Sequence, residues 1–115
     1  MCILSDEQEV LAHIADAAMQ TYALESALLR TSKMVAAKSE GNCSAPIDMV
    51  RVYASDTADR VRHSGKQIIA ALSAAGDTTV LLETASQLAH YPAFNGVAAR
   101  RRIADVLVKA GRYPF

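Results

Sequence analysis

The spacing of hydrophobic residues predicts a helical chain. No glycine or proline interrupts residues 6–38, and apolar residues recur there at the three- and four-residue spacing of a helix. They are Val10, Leu11, Ile14, Ala18, Tyr22, Leu28, Leu29 and Val35. Ser5 and Gln8 form a capping box ahead of this pattern. We predict a first helix from Asp6 to about Lys38, about 50 Å long at ~1.5 Å per residue.

A turn and a second long helix are predicted next. In the stretch SEGNCSAP, Gly41 is suited to a left-handed cap, and Ser44 is suited to cap the following helix just before Pro46. That helix is predicted from Pro46 to about Ala75 and carries a regular apolar stripe. The stripe consists of Ile47, Val50, Ala54, Thr57, Ala58, Val61, Gly65, Ile68 and Leu72. The opposite face carries Arg51, Asp59, Arg62 and Lys66.

Two shorter helices complete the pattern. Gly76 is predicted to end the second helix, and Asp77 to cap a third that ends near His90. The segment YPAFNG breaks the chain before a fourth helix from about Val97 to Ala110, which Gly111 ends. Long helices joined by short turns predict an all-α, up-and-down bundle of about four helices, two long and two short. Residues 1–115 are therefore expected to form a single helical domain.

Composition limits the classes of partner. Twelve basic residues balance twelve acidic ones, so the chain lacks the overall positive field of nucleic-acid binders, and no nucleic-acid partner is predicted. Cys2 and Cys43 have no paired spacing that would predict a disulfide framework or a zinc knuckle. No apolar run approaches the ~20 residues of a membrane span, and the first residues do not resemble a secretion signal. We expect a cytoplasmic protein that is not secreted.

The apolar content predicts an interface. Hydrophobic residues make up 51% of the chain, which is high for a domain with one small core. Some of this apolar surface must therefore be covered by another protein surface or by a second copy. We predict a homo-oligomer that forms through an apolar face.

The sequence contains no recognisable catalytic, cofactor-binding or metal site. No glutamate is followed three residues later by histidine, as a di-iron helical bundle requires. Asp59 and His63, one helical turn apart, offer two metal ligands, and His13 stands three residues before Asp16, but surface pairs are the favoured interpretation of both. No glycine-rich phosphate loop or nucleophile elbow occurs.

Two charged residues interrupt an otherwise apolar stretch of the first helix. Glu25 and Arg30 lie among alanines and leucines. The favoured interpretation is that they pair with each other or across helices and fix the helix register. The alternative is that they belong to a functional site.

Three consecutive arginines open the last predicted helix. Because successive helical residues turn by ~100°, Arg100, Arg101 and Arg102 fan around the axis and form no single basic stripe. Residues 96–115 have a formal charge of +4 and residues 1–16 a formal charge of −4. We predict that the triplet pairs within the protein or with a parent protein, and the interface candidates are these arginines with Tyr113 and Phe115.

A weak membrane-surface contact is a further hypothesis for this basic helix. Val106 and Leu107 could face lipid together with Tyr113 and Phe115, since surface helices pair a basic face with an apolar one. The favoured alternative is that these apolar residues belong to the core, because the arginines spread around the axis.

Three segments together resemble a known family. YALESALLR (residues 22–30), VYASDTADRV (52–61) and RRRIADVLVKAGRYPF (100–115) resemble, in order and spacing, the C-terminal helical domain of very-long-chain-type acyl-CoA dehydrogenases. The resemblance implies a parent FAD flavoprotein of fatty-acid β-oxidation. That enzyme removes hydrogens from the α and β carbons of a fatty acyl-CoA with a glutamate base and passes electrons to an electron-transferring flavoprotein.

None of the family's catalytic residues corresponds to a residue of this chain. The resemblance therefore implies a non-catalytic domain appended to upstream dehydrogenase domains, with FAD bound by the parent enzyme and not by this chain. Its implied role is domain packing, assembly or membrane-surface contact. The alternative is an independent helical protein-interaction or adaptor module.

Overall fold

A computed structural model describes residues 7–72 and 78–115. These residues form an all-α bundle of two long and two short helices with no strand, so the predicted fold class is confirmed. The helices are α1 (Gln8–Lys38), α2 (Ser44–Leu72), α3 (Thr79–Leu88) and α4 (Gly96–Ala110), and a short 3₁₀ turn, Glu40–Asn42, separates α1 from α2.

Several predicted helix boundaries lie outside the described residues. They are Ser5 of the capping box, Ala75 at the predicted end of the second helix, Gly76 as its predicted stop and Asp77 as the predicted cap of the third helix. Within the described residues, the predicted ends at Lys38 and Ala110 agree with the structure.

The turn after α1 differs from the prediction. Ser39, and not Gly41, has the positive φ in this turn, with φ 72° and ψ 156°. This region of backbone space is occupied almost only by glycine. The Asn42 amide Nδ2 donates to the Lys38 carbonyl at 2.8 Å and to Ser39 Oγ at 3.3 Å. These bonds hold the turn closed despite the strained backbone at Ser39.

The start of α2 also differs. Ser44 is the first helical residue and not its cap. The Ile47 N–H donates to the Cys43 carbonyl at 3.0 Å, which places Cys43 at the N-cap position. Cys43 is completely buried, and its thiol is free.

Both ends of α4 follow from local chemistry. The Asn95 side chain accepts a hydrogen bond from the Ala98 N–H at 3.0 Å and caps the start. Gly111 takes the left-handed conformation at φ 65°, and its N–H donates to the carbonyls of Leu107 and Val108. The predicted helix stop at Gly111 is confirmed, because only glycine enters this conformation without cost.

The chain divides into two compact units, and both long helices contribute to each. The first unit comprises Met1–Tyr22 and Thr57–Tyr91, and the second comprises Ala23–Asp56 and Pro92–Phe115. Among the described residues of the first unit, Val10, Thr57 and Ser64 are buried. In the second unit the buried residues are Cys43, Ala45, Pro46, Asp48 and Ala99. Each interior therefore consists mostly of small or polar side chains.

The predicted stripe of α2 is only partly covered. Thr57 is buried, and most of the other stripe residues are half-buried. Leu72, at the end of the helix, is exposed.

A side chain of α2 also contacts the end of α3. In the first unit, the Arg62 guanidinium donates to the Ala89 carbonyl just after α3, at 3.1 Å. None of the described helices is long and apolar enough to cross a membrane.

Candidate functional site

Arg102 of α4 and Asp48 of α2 form a two-point ion pair in the second unit. Arg102 Nε donates to Asp48 Oδ2 at 2.8 Å, and a terminal nitrogen of the same guanidinium donates to Oδ1 at 2.9 Å. The Asp48 side chain is 11% exposed and that of Arg102 is 58% exposed. This parallel geometry is the strongest that an arginine makes with a carboxylate. It joins α4 to the first turns of α2.

The ion pair shifts the pKa of both groups. The hydrogen bond from Arg102 lowers the pKa of Asp48, and the positive charges of Arg102 and Arg51 add to this effect. Burial of the carboxylate opposes it. The hydrogen bond to Asp48 raises the pKa of Arg102. Both shifts favour the charged forms that make the pair.

The other two arginines of the triplet are held less firmly. Arg100 contacts Asp56 of α2 at 3.4 Å, with both side chains about half exposed, an arrangement that contributes little in water. Arg101 is exposed and has no ion pair within the described part of the chain. Two of the three arginines thus pair within the protein, as predicted, and their partners are carboxylates of α2. Their role in an interface stays a prediction.

The two aromatic rings after α4 contact each other. The Tyr113 and Phe115 rings lie 5.4 Å apart between centroids at an interplanar angle of 85°. This edge-to-face arrangement is a favourable one for aromatic pairs. Tyr113 is 61% exposed and Phe115 is half-buried.

The same two rings line a cavity of about 220 Å³ in the second unit. Most of its walls are apolar, and α1, α2 and the segment after α4 all contribute to them. Its lining residues are Ala27, Arg30, Thr31, Met34, Pro46, Met49, Val50, Tyr53, Tyr113 and Phe115. This cavity could not be predicted from the sequence, because no local pattern shows that these three segments meet.

Arg30 lies at this cavity without a carboxylate partner. The predicted pairing of Glu25 with Arg30, or of either residue across helices, is wrong for the described residues. Both side chains are exposed. Five residues apart on α1, they are separated by ~140° around the helix axis and point in different directions. Arg30, which has no ion pair among the described residues, is therefore one of the residues that line an apolar cavity.

In the first unit, two histidines face each other across an open groove. The His13 and His63 rings are 6.1 Å apart between centroids, at an interplanar angle of 67°. Asp59, the suggested co-ligand of His63, pairs instead with Arg62 at 3.2 Å. Among the described residues, no group of three or more His, Cys, Asp or Glu side chains is placed to hold a metal ion.

Two larger open grooves of the described residues have mixed charge. The His13 groove, of about 510 Å³, is lined by Asp16 and Asp59 and also by Arg60. A second groove, of about 490 Å³, is lined by the acidic side chains of Glu40, Asp48 and Asp105 and by the basic side chains of Arg51 and Arg102. Neither groove therefore carries a single sign of charge.

The most apolar face of α1 in the first unit points outward. Leu11, Ile14, Ala18 and Tyr22 fall within about 80° of one another around the helix axis, and all four are exposed. We call these four residues the outer face of α1. The side of the same helix that is turned inward includes the half-buried His13, Ala17 and Gln20. Val10, which is buried, lies on this inward side as well, so α1 has a mixed inward side and an exposed apolar outer face.

Further large apolar side chains are exposed on the other helices. Leu88 of α3 is 84% exposed and Val108 of α4 is 81% exposed. On the second-unit part of α1, Leu28 and Leu29 are also exposed. The predicted excess of apolar surface is therefore present in the described residues.

Comparison with known proteins identifies related sequences. The family model described as "Acyl-CoA dehydrogenase, C-terminal domain" matches residues 1–87. A protein of Bacillus subtilis (strain 168) named "Probable acyl-CoA dehydrogenase" is 24% identical over 107 residues. The aligned part covers 93% of this chain but only 18% of that relative. No solved structure matches the chain. The segment at residues 100–115 lies beyond the family-model match.

Proposed function

We propose, since the chain belongs to the acyl-CoA dehydrogenase C-terminal domain family, that it is the non-catalytic helical domain of an FAD-dependent enzyme of fatty-acid β-oxidation. Its role is to pack against upstream dehydrogenase domains and to support their assembly in the cytoplasm. The flavin and the acyl-CoA bind to those upstream domains.

The outer face of α1 carries this proposal. A lone domain gains stability by turning its most apolar face inward, whereas here that face is exposed. The fully buried residues of each unit are few and mostly small or polar, so the chain hides little apolar surface by itself. Packing against a second protein surface removes these side chains from water at roughly 25 cal/mol per Å² of apolar area. The similarity to only 18% of the length of a probable acyl-CoA dehydrogenase agrees with an appended position.

Self-association of the isolated chain tests the outer face. Without its partner domains, the chain is expected to form dimers or larger species in light scattering. Replacing Leu11 and Ile14 together with glutamine reduces this association, because both lie on the outer face. Leu88→Gln, which removes one exposed apolar side chain outside the outer face, is the control and is expected to reduce the association less. A strictly monomeric chain, or association that the double variant leaves intact, contradicts the proposal.

A second experiment separates the appended domain from an independent adaptor module. The genomic reading frame ahead of the Met1 codon is expected to continue and to encode a flavin-binding dehydrogenase. Mixing the chain with that upstream segment, produced separately, is expected to replace the self-associated form by a one-to-one complex. An in-frame stop codon directly ahead of Met1 instead favours the adaptor.

A further inference from the structure

The cavity beside Arg30 has the features of a binding site for a small amphiphile. Its walls are mainly apolar, and two of the lining residues are Met34 and Met49. Their flexible thioether side chains adapt to irregular apolar ligands. The Tyr113 and Phe115 rings form a further part of the lining. Such a surface favours an alkyl chain over a polar ligand.

The positive charge of Arg30 favours a ligand whose alkyl chain ends in an anionic head group. Arg30 lines the cavity and has no ion-pair partner among the described residues. A guanidinium presents two parallel N–H groups that match a carboxylate. None of the described residues that line the cavity is acidic, so none of them competes for this cation.

The size of the cavity limits the length of the alkyl chain. A water molecule takes a share of about 30 Å³ in the liquid, and a methylene group is of similar size. The volume of about 220 Å³ is several times this share, so a chain of several carbons is needed to cover the apolar wall. A chain of two or three carbons leaves most of the apolar wall uncovered.

We propose that this cavity binds a free, medium-chain alkyl carboxylate, with its carboxylate on Arg30 and its alkyl chain between Met34, Met49 and the rings of Tyr113 and Phe115. This site is separate from the outer face of α1 and does not depend on the proposed role in domain packing.

The methionine methyl groups report on this site directly. Met34 and Met49 line the cavity, whereas Met19, 61% exposed on α1, does not. With ¹³C-methyl methionine in the 115-residue chain, titration with octanoate below its micelle-forming concentration is expected to shift the Met34 and Met49 signals. The Met19 signal is expected to stay in place. Equal shifts at Met19, or no shift at Met34 and Met49, overturn the proposal.

Two further ligands separate the contribution of the head group from that of the chain. Butanoate keeps the carboxylate but covers less of the wall, and 1-octanol keeps the chain but lacks the charge. Both are expected to bind at least tenfold more weakly than octanoate. The variant Ala27→Leu places a larger side chain in the cavity wall and is expected to weaken octanoate binding. If its helical circular dichroism spectrum is unchanged and it binds octanoate as tightly as the unmodified chain, the assignment of the site is wrong.

The role of Arg30 is tested by a matched pair of variants. Arg30→Gln is expected to lower octanoate affinity about tenfold, the effect of losing one hydrogen bond to a charged group, while 1-octanol affinity stays the same. Lys33→Gln removes a positive charge from α1 three residues away, at a position that does not line the cavity. This control is expected to leave both affinities unchanged. If Arg30→Gln binds octanoate as the unmodified chain does, the carboxylate assignment is wrong.

Discussion

Arg102 binds both carboxylate oxygens of Asp48, and the two partners differ in exposure, with Asp48 nearly buried and the arginine largely in solvent. Removing one partner therefore differs in effect from removing the other. An unpaired carboxylate in a buried position costs more than an unpaired guanidinium that water can reach.

This asymmetry predicts the stability of two variants. Asp48→Asn is expected to lower the free energy of unfolding by about 1.5 kcal/mol, the lower end of the scale for a lost hydrogen bond to a charged group. Arg102→Ala is expected to be more destabilising, because it leaves the Asp48 carboxylate without its partner. Urea unfolding followed by circular dichroism measures both. Asp56→Asn, which affects the exposed Arg100 pair, is the control and is expected to have almost no effect. An Arg102→Ala variant no less stable than Asp48→Asn contradicts the asymmetry.

The same pair predicts a dependence of stability on pH. The pKa of Asp48 is lowered in the folded chain, so the unfolded state binds this proton more readily than the folded state. The stabilisation is present above the unfolded pKa of about 3.9 and is lost as pH falls through the lower folded pKa. Unfolding experiments from pH 6 down to pH 2 are expected to show this loss below about pH 4.

In Arg102→Ala the hydrogen bond that lowers the pKa of Asp48 is removed. The part of the acid-dependent loss of stability that Asp48 contributes is therefore expected to disappear in this variant. If the two proteins lose stability in parallel between pH 4 and pH 2, the ion pair is not its source.

The backbone of Ser39 predicts a stabilising substitution. Ser39 combines φ 72° with ψ 156°, a conformation that costs a non-glycine residue of the order of 1–3 kcal/mol. Ser39→Gly is expected to raise the free energy of unfolding by about 1 kcal/mol. The rest of the gain is offset by the greater freedom of glycine in the unfolded chain and by the loss of the exposed 3.3 Å bond from Asn42 to Ser39 Oγ. Thermal unfolding measures the change.

Ser32→Gly is the matched control for Ser39→Gly. Ser32 is an exposed residue within α1, where the same substitution is expected to lower stability by about 0.5 kcal/mol. A fall in stability for both variants contradicts strain at Ser39.

The basic end of the chain predicts only weak attraction to anionic membranes. In α4, Arg100 and Arg102 already contact carboxylates, and Ile103, Val106 and Leu107 are half-buried. We expect a small fraction of the chain to sediment with anionic vesicles at low salt and none in ~0.5 M salt, where surface charges are screened.

Arg101 is the arginine of the triplet that has no ion pair within the described residues, so Arg101→Gln is expected to weaken vesicle binding. Lys66→Gln on α2 is the control and is expected to have a smaller effect. Sedimentation that persists in ~0.5 M salt indicates insertion of apolar side chains and contradicts a purely electrostatic contact.

Much of the secondary structure could be predicted from the sequence, because helix formation depends on local features. The uninterrupted apolar spacing of residues 6–38 predicted α1 nearly to its observed ends. Gly111 predicted the end of α4 because no other residue enters the left-handed region so easily. The turn after α1 was less predictable, since both Ser39 and Gly41 lie in it, and hydrogen bonds of Asn42 accompany the positive φ at Ser39.

The pairing of charges could not be predicted from the chain alone. The charge balance predicted pairing of the arginines within the protein or with a parent but named no partner, and the structure shows that Arg102 contacts Asp48 and Arg100 contacts Asp56. These partners lie 54 and 44 residues away in sequence, and an ion pair forms only where the packing of helices brings two side chains within about 4 Å. The cavity beside Arg30 depends on the same kind of long-range packing.

The sequence by itself determined the family, the four helices and the excess of apolar surface, because these follow from the order and spacing of residues along the chain. Only the tertiary structure decided which face of each helix is covered. The spacing of residues along a helix shows which side chains share a face. Whether that face is buried depends on which other segments pack against it. Thus Leu11, Ile14 and Tyr22 lie outside, whereas Val10 of the same helix is buried and Gln20 is half-buried.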